Sequence, residues 1–134
     1  MANQTQRPDT ALHNTSHLMQ YHDLIESIVA AMDARDAYTA KHSDRVADMV
    51  LVLANALDLS EDETTLLHMA AHLHDIGKIA VPDSVLRKAG PLTSPEWEEM
   101  RRHPVTGYEI LRKVDDFKEI AVLVRHHHER WDGR

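Results

Sequence analysis

The sequence predicts an all-α fold, and three observations carry that expectation. Apolar residues recur at the three-and-four spacing of amphipathic helices rather than alternating as on a half-buried strand. Glycine and proline are scarce, 4 and 5 in 134 residues, and most of them fall between residues 77 and 107. The intervening stretches are rich in Ala, Leu, Glu and Arg, which lose little side-chain freedom in a helix. The length fits one domain. With 43% hydrophobic but only 4% aromatic residues, Leu, Val, Ile, Ala and Met must fill the core.

Residues 1–13 are polar and read as a disordered tail, with a helical domain over 14–134. From Asn14 to Ala34, Leu18, Tyr21, Leu24, Ile25, Ile28 and Met32 mark one face of a first helix. A second helix runs from Thr39 to Leu57, with a core-facing stripe of His42, Val46, Met49, Val50, Leu53 and Leu57. Ser60 followed by Glu63 is a capping-box pattern that opens a third helix. His74 and Asp75 come near the end of that helix, and Gly77 is read as its terminator. Pro82, Gly90, Pro91 and Pro95 make 78–95 a loop region with one short helix, Asp83–Lys88. Thr93 to Glu96 starts another helix, with Pro95 in its first turn, that ends near His103-Pro104. Pro104 opens the next, through Ile110 and Leu111. A last helix starts at Asp115 or Asp116 and carries Ile120, Leu123, Val124, His127 and His128.

Bulk properties exclude several function classes. The net charge of −7 argues against a polymeric nucleic-acid partner, though not against a small phosphorylated one. The chain has no cysteine, which rules out disulfides and thiolate metal sites and fits the cytoplasm. No apolar run approaches membrane-spanning length, and the N-terminus lacks a signal-peptide pattern, so no membrane association is expected.

The 11 histidines point to metal chemistry, since imidazole is the commonest side-chain ligand. His74 and Asp75 are adjacent, and a carboxylate with two oxygens can bridge two ions. Of His126, His127 and His128, three neighbours about 100° apart on a helix cannot all face inward. His127 lies on the stripe of Ile120, Leu123, Val124 and Trp131, with His128 close beside it, so these two are preferred to His126. His42 and His103 carry little signal singly: alone, the first reads rather as a hydrogen-bonded core histidine and the second as a helix-end residue. His13, His17 and His22 fall in or near the tail and are read as solvent-facing. His68 and His72 form an i, i+4 pair that can bind zinc, but no second pair accompanies them, and they are read as an ordinary helix face.

Taken together, HLHDIGKIAVPDSVLRKAGPLTSPEWEEMRRHPVTGYEILRKV and the later VRHHHERWDG closely resemble the HD-GYP family, as does the upstream RDAYTAKHSDRVA. The resemblance covers roughly residues 33–134 and implies an HD-domain helical bundle. It implies two metals, iron or manganese, and hydrolysis of cyclic di-GMP by a metal-activated water. His42, His74 and Asp75 match the ligands of one ion. Asp75, His103, His127 and His128 match those of its neighbour, with Asp75 as the bridge. Asp75 and Lys78 match catalytic positions, the lysine contacting substrate phosphate. Some members carry a Glu four residues before the first histidine that serves a third metal; Tyr38 stands here, so a third site is not expected.

The family's Gly-Tyr-Pro segment and a later Asp ligand have no counterpart before Arg134. The sequence therefore reads as a bundle incomplete at its C-terminal end, with one metal site short of a ligand. Weak or absent hydrolysis by this chain is expected, and a homodimer is compatible with apolar surface left uncovered. Two other readings stand beside it: a non-catalytic metal- or partner-binding signalling module, and another HD-type nucleotide phosphohydrolase.

Overall fold

The computed structural model describes residues 15–36 and 41–133. The expected tail over 1–13, and Tyr38, lie outside the described residues. Every regular element among the described residues is helical. In chain order these are α1 (His22–Arg35), α2 (His42–Ala56), α3 (Glu61–Leu73), α4 (Asp83–Leu86), α5 (Ser94–Met100), α6 (His103–Leu111) and α7 (Lys118–His126). Short 3-10 segments precede α1 (Thr15–Tyr21), follow α3 (Ile76–Ala80) and precede α7 (Asp115–Phe117).

α3 is the central helix, packed against α1, α2 and α7. Its start is fixed locally. Ser60 Oγ accepts from Glu63 N at 3.2 Å, and Glu63 Oε2 accepts from Ser60 N at 2.9 Å, a reciprocal capping box. Thr93 and Glu96 do the same at the start of α5. Met69 and Leu73 of α3 meet Ile25, Ile120 and Val124 in the core, all at most 1% exposed. The side chains of this core are aliphatic apart from Phe117, as the low aromatic content requires.

Three expectations are corrected. The large apolar residues of α2 face outward: Met49, Leu53 and Leu57 are more than half exposed, and Ser43, Ala47 and Ala54 are buried instead. Small side chains let α2 lie close against α3, since the distance between packed helices follows the residues at the contact. Likewise Leu24 of α1 is exposed, while Ile25 and Val29 are buried. Gly77 does not terminate α3 through a left-handed turn, because its φ is not positive. The chain continues from His74 into the 3-10 segment, and Gly77 is required for another reason. A Cβ there would lie 1.8 Å from the His103 carbonyl oxygen and 2.6 Å from Gly107 N, so α6 packs directly on the backbone at Gly77.

Arg35, the last residue of α1, holds the segment after the His-Asp pair in place. Its guanidinium donates to the carbonyl oxygens of Lys78 (3.1 Å), Ile79 (2.7 Å) and Val81, and it pairs with Asp83 at 2.8 Å. These carbonyls end a 3-10 segment and have few backbone partners. Arg35→Ala is expected to destabilise the chain by about 2–3 kcal/mol, since hydrogen bonds to a charged group are the stronger kind. Urea unfolding would measure it, and a loss below about 0.5 kcal/mol would show that water replaces the guanidinium without penalty.

Candidate metal centre

Four helical regions deliver the histidines and carboxylate to one place. α2 contributes His42 as its first residue. His74 caps the C-terminal end of α3, and Asp75 caps the start of the 3-10 segment that carries Lys78. α6 begins with His103, and α7 ends just before His127 and His128. Contrary to the expected longer helix, His127 caps α7 and His128 lies in the following turn. Trp131 is 97% exposed and shares no buried face with His127. His126 points away and pairs with Glu129.

The structure brings all six expected ligand residues together. Asp75 sits between two groups: Oδ2 is 3.3 Å from His74 Nε2, and Oδ1 is 3.3 Å from His103 Nε2. On the first side, the rings of His42 and His74 are 5.5 Å apart. On the second, His103 Nε2 is 3.3 Å from Nε2 of both His127 and His128. His42, His74 and Asp75 form one set able to share an ion, and His103, His127 and His128 another. The rings of His74 and His127, 5.2 Å apart, join the two sets. Lys78 Nζ donates to Asp75 Oδ2 at 2.7 Å.

Three of these rings are oriented in the same way. Nδ1 of His74, His103 and His127 donates to the carbonyl three residues earlier, Ala71 (2.7 Å), Met100 (2.7 Å) and Val124 (2.6 Å). Each bond fixes the ring and turns Nε2 toward the centre, the arrangement that outer hydrogen bonds give to metal-binding histidines. Sequence reading missed these carbonyl anchors because any residue supplies them.

The electrostatics discriminate between a hydrogen-bonded cluster and a cation site. Burial pushes His127 down to about 4, aided by His128, His74 and His103, and burial also lowers His103. Both rings are therefore neutral near pH 7, with their one proton on the anchored Nδ1. Their Nε2 atoms are acceptors only, yet they face one another at 3.3 Å beside a carboxylate oxygen. No hydrogen bond joins two acceptors, whereas a cation between them satisfies both. The spacing also matches the ~3.3 Å between nitrogens that share a tetrahedral ion with bonds near 2.0–2.1 Å. His74 differs. Burial opposes its protonation, but the Asp75 carboxylate outweighs burial and raises its pKa. Burial likewise opposes the charge on Asp75, and His74 and Lys78 reverse that, holding the carboxyl well below the usual range. The residues present fit divalent cations of the imidazole–carboxylate class, which includes iron, manganese, nickel and zinc.

Comparison with known proteins gives one family match and several relatives. The family described as HD domain matches residues 21–134. A cyclic di-GMP phosphodiesterase response regulator of Xanthomonas campestris is 42% identical over 113 residues, covering 83% of this chain and 30% of its own length. The 3'3'-cGAMP-specific phosphodiesterase 2 of Vibrio cholerae is 40% identical over 116 residues, covering 83% of this chain and 22% of its own. A cyclic di-GMP phosphodiesterase of Thermotoga maritima is 37% identical over 113 residues, covering 83% of this chain and 31% of its own. The chain thus spans less than a third of the length of each of these curated relatives. Among the described residues, no helix is long and apolar enough to cross a membrane.

Proposed function

The chain belongs to the HD domain family of metal-dependent phosphohydrolases, and from that premise we propose that its centre holds two divalent cations, iron or manganese, and serves hydrolysis of cyclic di-GMP. The observation that carries the reading is the position of Asp75, with one carboxylate oxygen turned to each histidine group. His42, His74 and Asp75 hold the first ion in this reading. Asp75, His103, His127 and His128 hold the second.

Cations held by the two groups would supply Lewis-acid polarisation of a phosphodiester and would lower the pKa of water. The residues do the rest. The carbonyl-anchored rings keep their Nε2 atoms in place without reorganisation. Lys78, half-buried at the edge of the centre and paired with Asp75 at 2.7 Å, is the point charge that would meet a phosphate oxygen in this reading. Beside it opens a cleft of about 430 Å³ lined by Lys78, Trp97, Arg101, Pro104 and His128. That volume lies in the range of small-molecule sites. The Arg101 guanidinium lies over the exposed Trp97 ring, 5.8 Å from its centroid, and pairs with Glu98 at 3.3 Å, so the cleft wall carries an aromatic ring and a cation.

The relatives' names favour one neighbouring substrate as well. Several act on 3'3'-cGAMP, another cyclic dinucleotide phosphodiester. Both ligands therefore belong in the test. A manganese- or iron-loaded sample is expected to bind cyclic di-GMP by calorimetry, and to lose that binding on chelation. A fully loaded chain that binds neither cyclic dinucleotide overturns the reading.

A further inference from the structure

A second histidine cluster lies outside this centre. His22, the first residue of α1, is half-buried rather than solvent-facing, and it packs on His68 and His72 of α3. The His22 and His68 rings stack with centroids 5.7 Å apart and 5° between planes, and His72 meets both edge-on, at 5.4 Å and 4.7 Å. One ring nitrogen of each lies within 4.8 Å of the others. Carboxylates border the cluster: Asp44 Oδ1 is 3.6 Å from His72 Nδ1, and Glu26 Oε1 is 3.7 Å from His22 Nδ1.

His72 supplies the discriminating observation. It is 5% exposed, and its buried Nδ1 has no hydrogen-bond partner among the described residues. A buried nitrogen left unpaired has lost its water without gaining a bond in exchange. An aliphatic side chain at this position would leave no such nitrogen to satisfy. A bound cation satisfies it. We propose that His22, His68 and His72 form a separate site for a borderline divalent ion such as zinc, with Asp44 or Glu26 as the fourth donor.

The donor set fits. Three imidazoles and one carboxylate make a four-coordinate site of the nitrogen–oxygen kind that zinc accepts. His68 Nδ1 lies 3.4 Å from the Ala47 carbonyl oxygen, which leaves its other nitrogen for an ion. His22 sits at the positive end of the α1 dipole, and Asp23 in that first turn and Glu26 one turn on offset the charge. The site is distinct from the Asp75 centre, because residues two apart on a helix point about 200° away from each other. His72 and His74 therefore aim to opposite sides of α3. An ion here would tie α1 to α3, and through Asp44 to α2, so that metal binding adds directly to folding free energy.

The test uses the whole chain, with the Asp75 centre first loaded with manganese. Zinc is then titrated and bound metal counted by elemental analysis after gel filtration. The unaltered chain is expected to take up one zinc equivalent that the His22→Ala, His68→Ala double variant does not, with manganese content equal in both. Its melting temperature should rise with zinc, and that rise should be absent in the variant. Should the variant not fold, histidine-ring 1H–15N spectra of a diamagnetic, zinc-loaded unaltered chain decide the matter: the signals of His22, His68 and His72 must shift together. Equal zinc uptake by chain and variant, or ring signals at these three residues that do not move, overturns the proposal.

Discussion

Gly77→Ala is expected to unfold or severely loosen the chain and to empty its metal centre. The added Cβ meets the His103 carbonyl oxygen at 1.8 Å, Gly107 N at 2.6 Å and the His103 carbonyl carbon at 2.7 Å. All three are backbone atoms, so no rotamer change relieves the clash and the 3-10 segment must move away from α6. Overpacking of a core by extra methylenes costs about 1–3 kcal/mol where side chains can give. With only backbone to displace, a loss at or above about 4 kcal/mol is expected, in the range reserved for the most damaging single substitutions. The function follows the packing, because Asp75 lies two residues before Gly77 and reaches His103 across the same contact, at 3.3 Å. Urea unfolding and metal content after purification check both parts. An unchanged midpoint would mean that the two backbones do not approach so closely. By contrast Gly107→Ala meets a side-chain atom first, Val124 Cγ1 at 2.8 Å, and should be milder.

The other large effect is expected for Asp75→Asn. The amide keeps the shape of the carboxylate and removes the charge, so a change in metal content reports electrostatics rather than a cavity. Substituting a residue that merely orients a ligand typically lowers metal affinity 10–100-fold. Asp75 faces both histidine groups directly, and a loss of at least about a hundredfold is expected at each. The substitution also strands His74 and Lys78, whose side chains are 14% and 19% exposed. Breaking a buried pair from one side costs about 3–5 kcal/mol, and this partly exposed site should lie near the lower end. Calorimetric titration with manganese, compared with the unaltered chain, measures the first effect. Retention of two tightly bound ions by Asp75→Asn would remove Asp75 from its proposed bridging position.

What the sequence determined by itself is local. Helical periodicity, the Ser60 and Thr93 caps and the prolines after residue 81 depend on neighbours within a turn, and they place α3 and α5 where the structure has them. The order of His42, His74, Asp75, His103, His127 and His128 could be read because it matches a known pattern, and the structure gathers those residues around one point. Tertiary structure alone decided the remainder. Periodicity gives the angle of a side chain about its helix, but not which angle faces a neighbour. That is why α2 buries Ser43, Ala47 and Ala54 and leaves Met49, Leu53 and Leu57 outside. Gly77 was legible as a glycine but not as the point where α6 touches the chain, since a missing Cβ matters only when another backbone stands in its place. Arg35 has no motif, and its role exists only once the carbonyls of Lys78, Ile79 and Val81 turn toward it. His22 is 46 residues from His68, and no spacing rule joins them; the packing of α1 on α3 does.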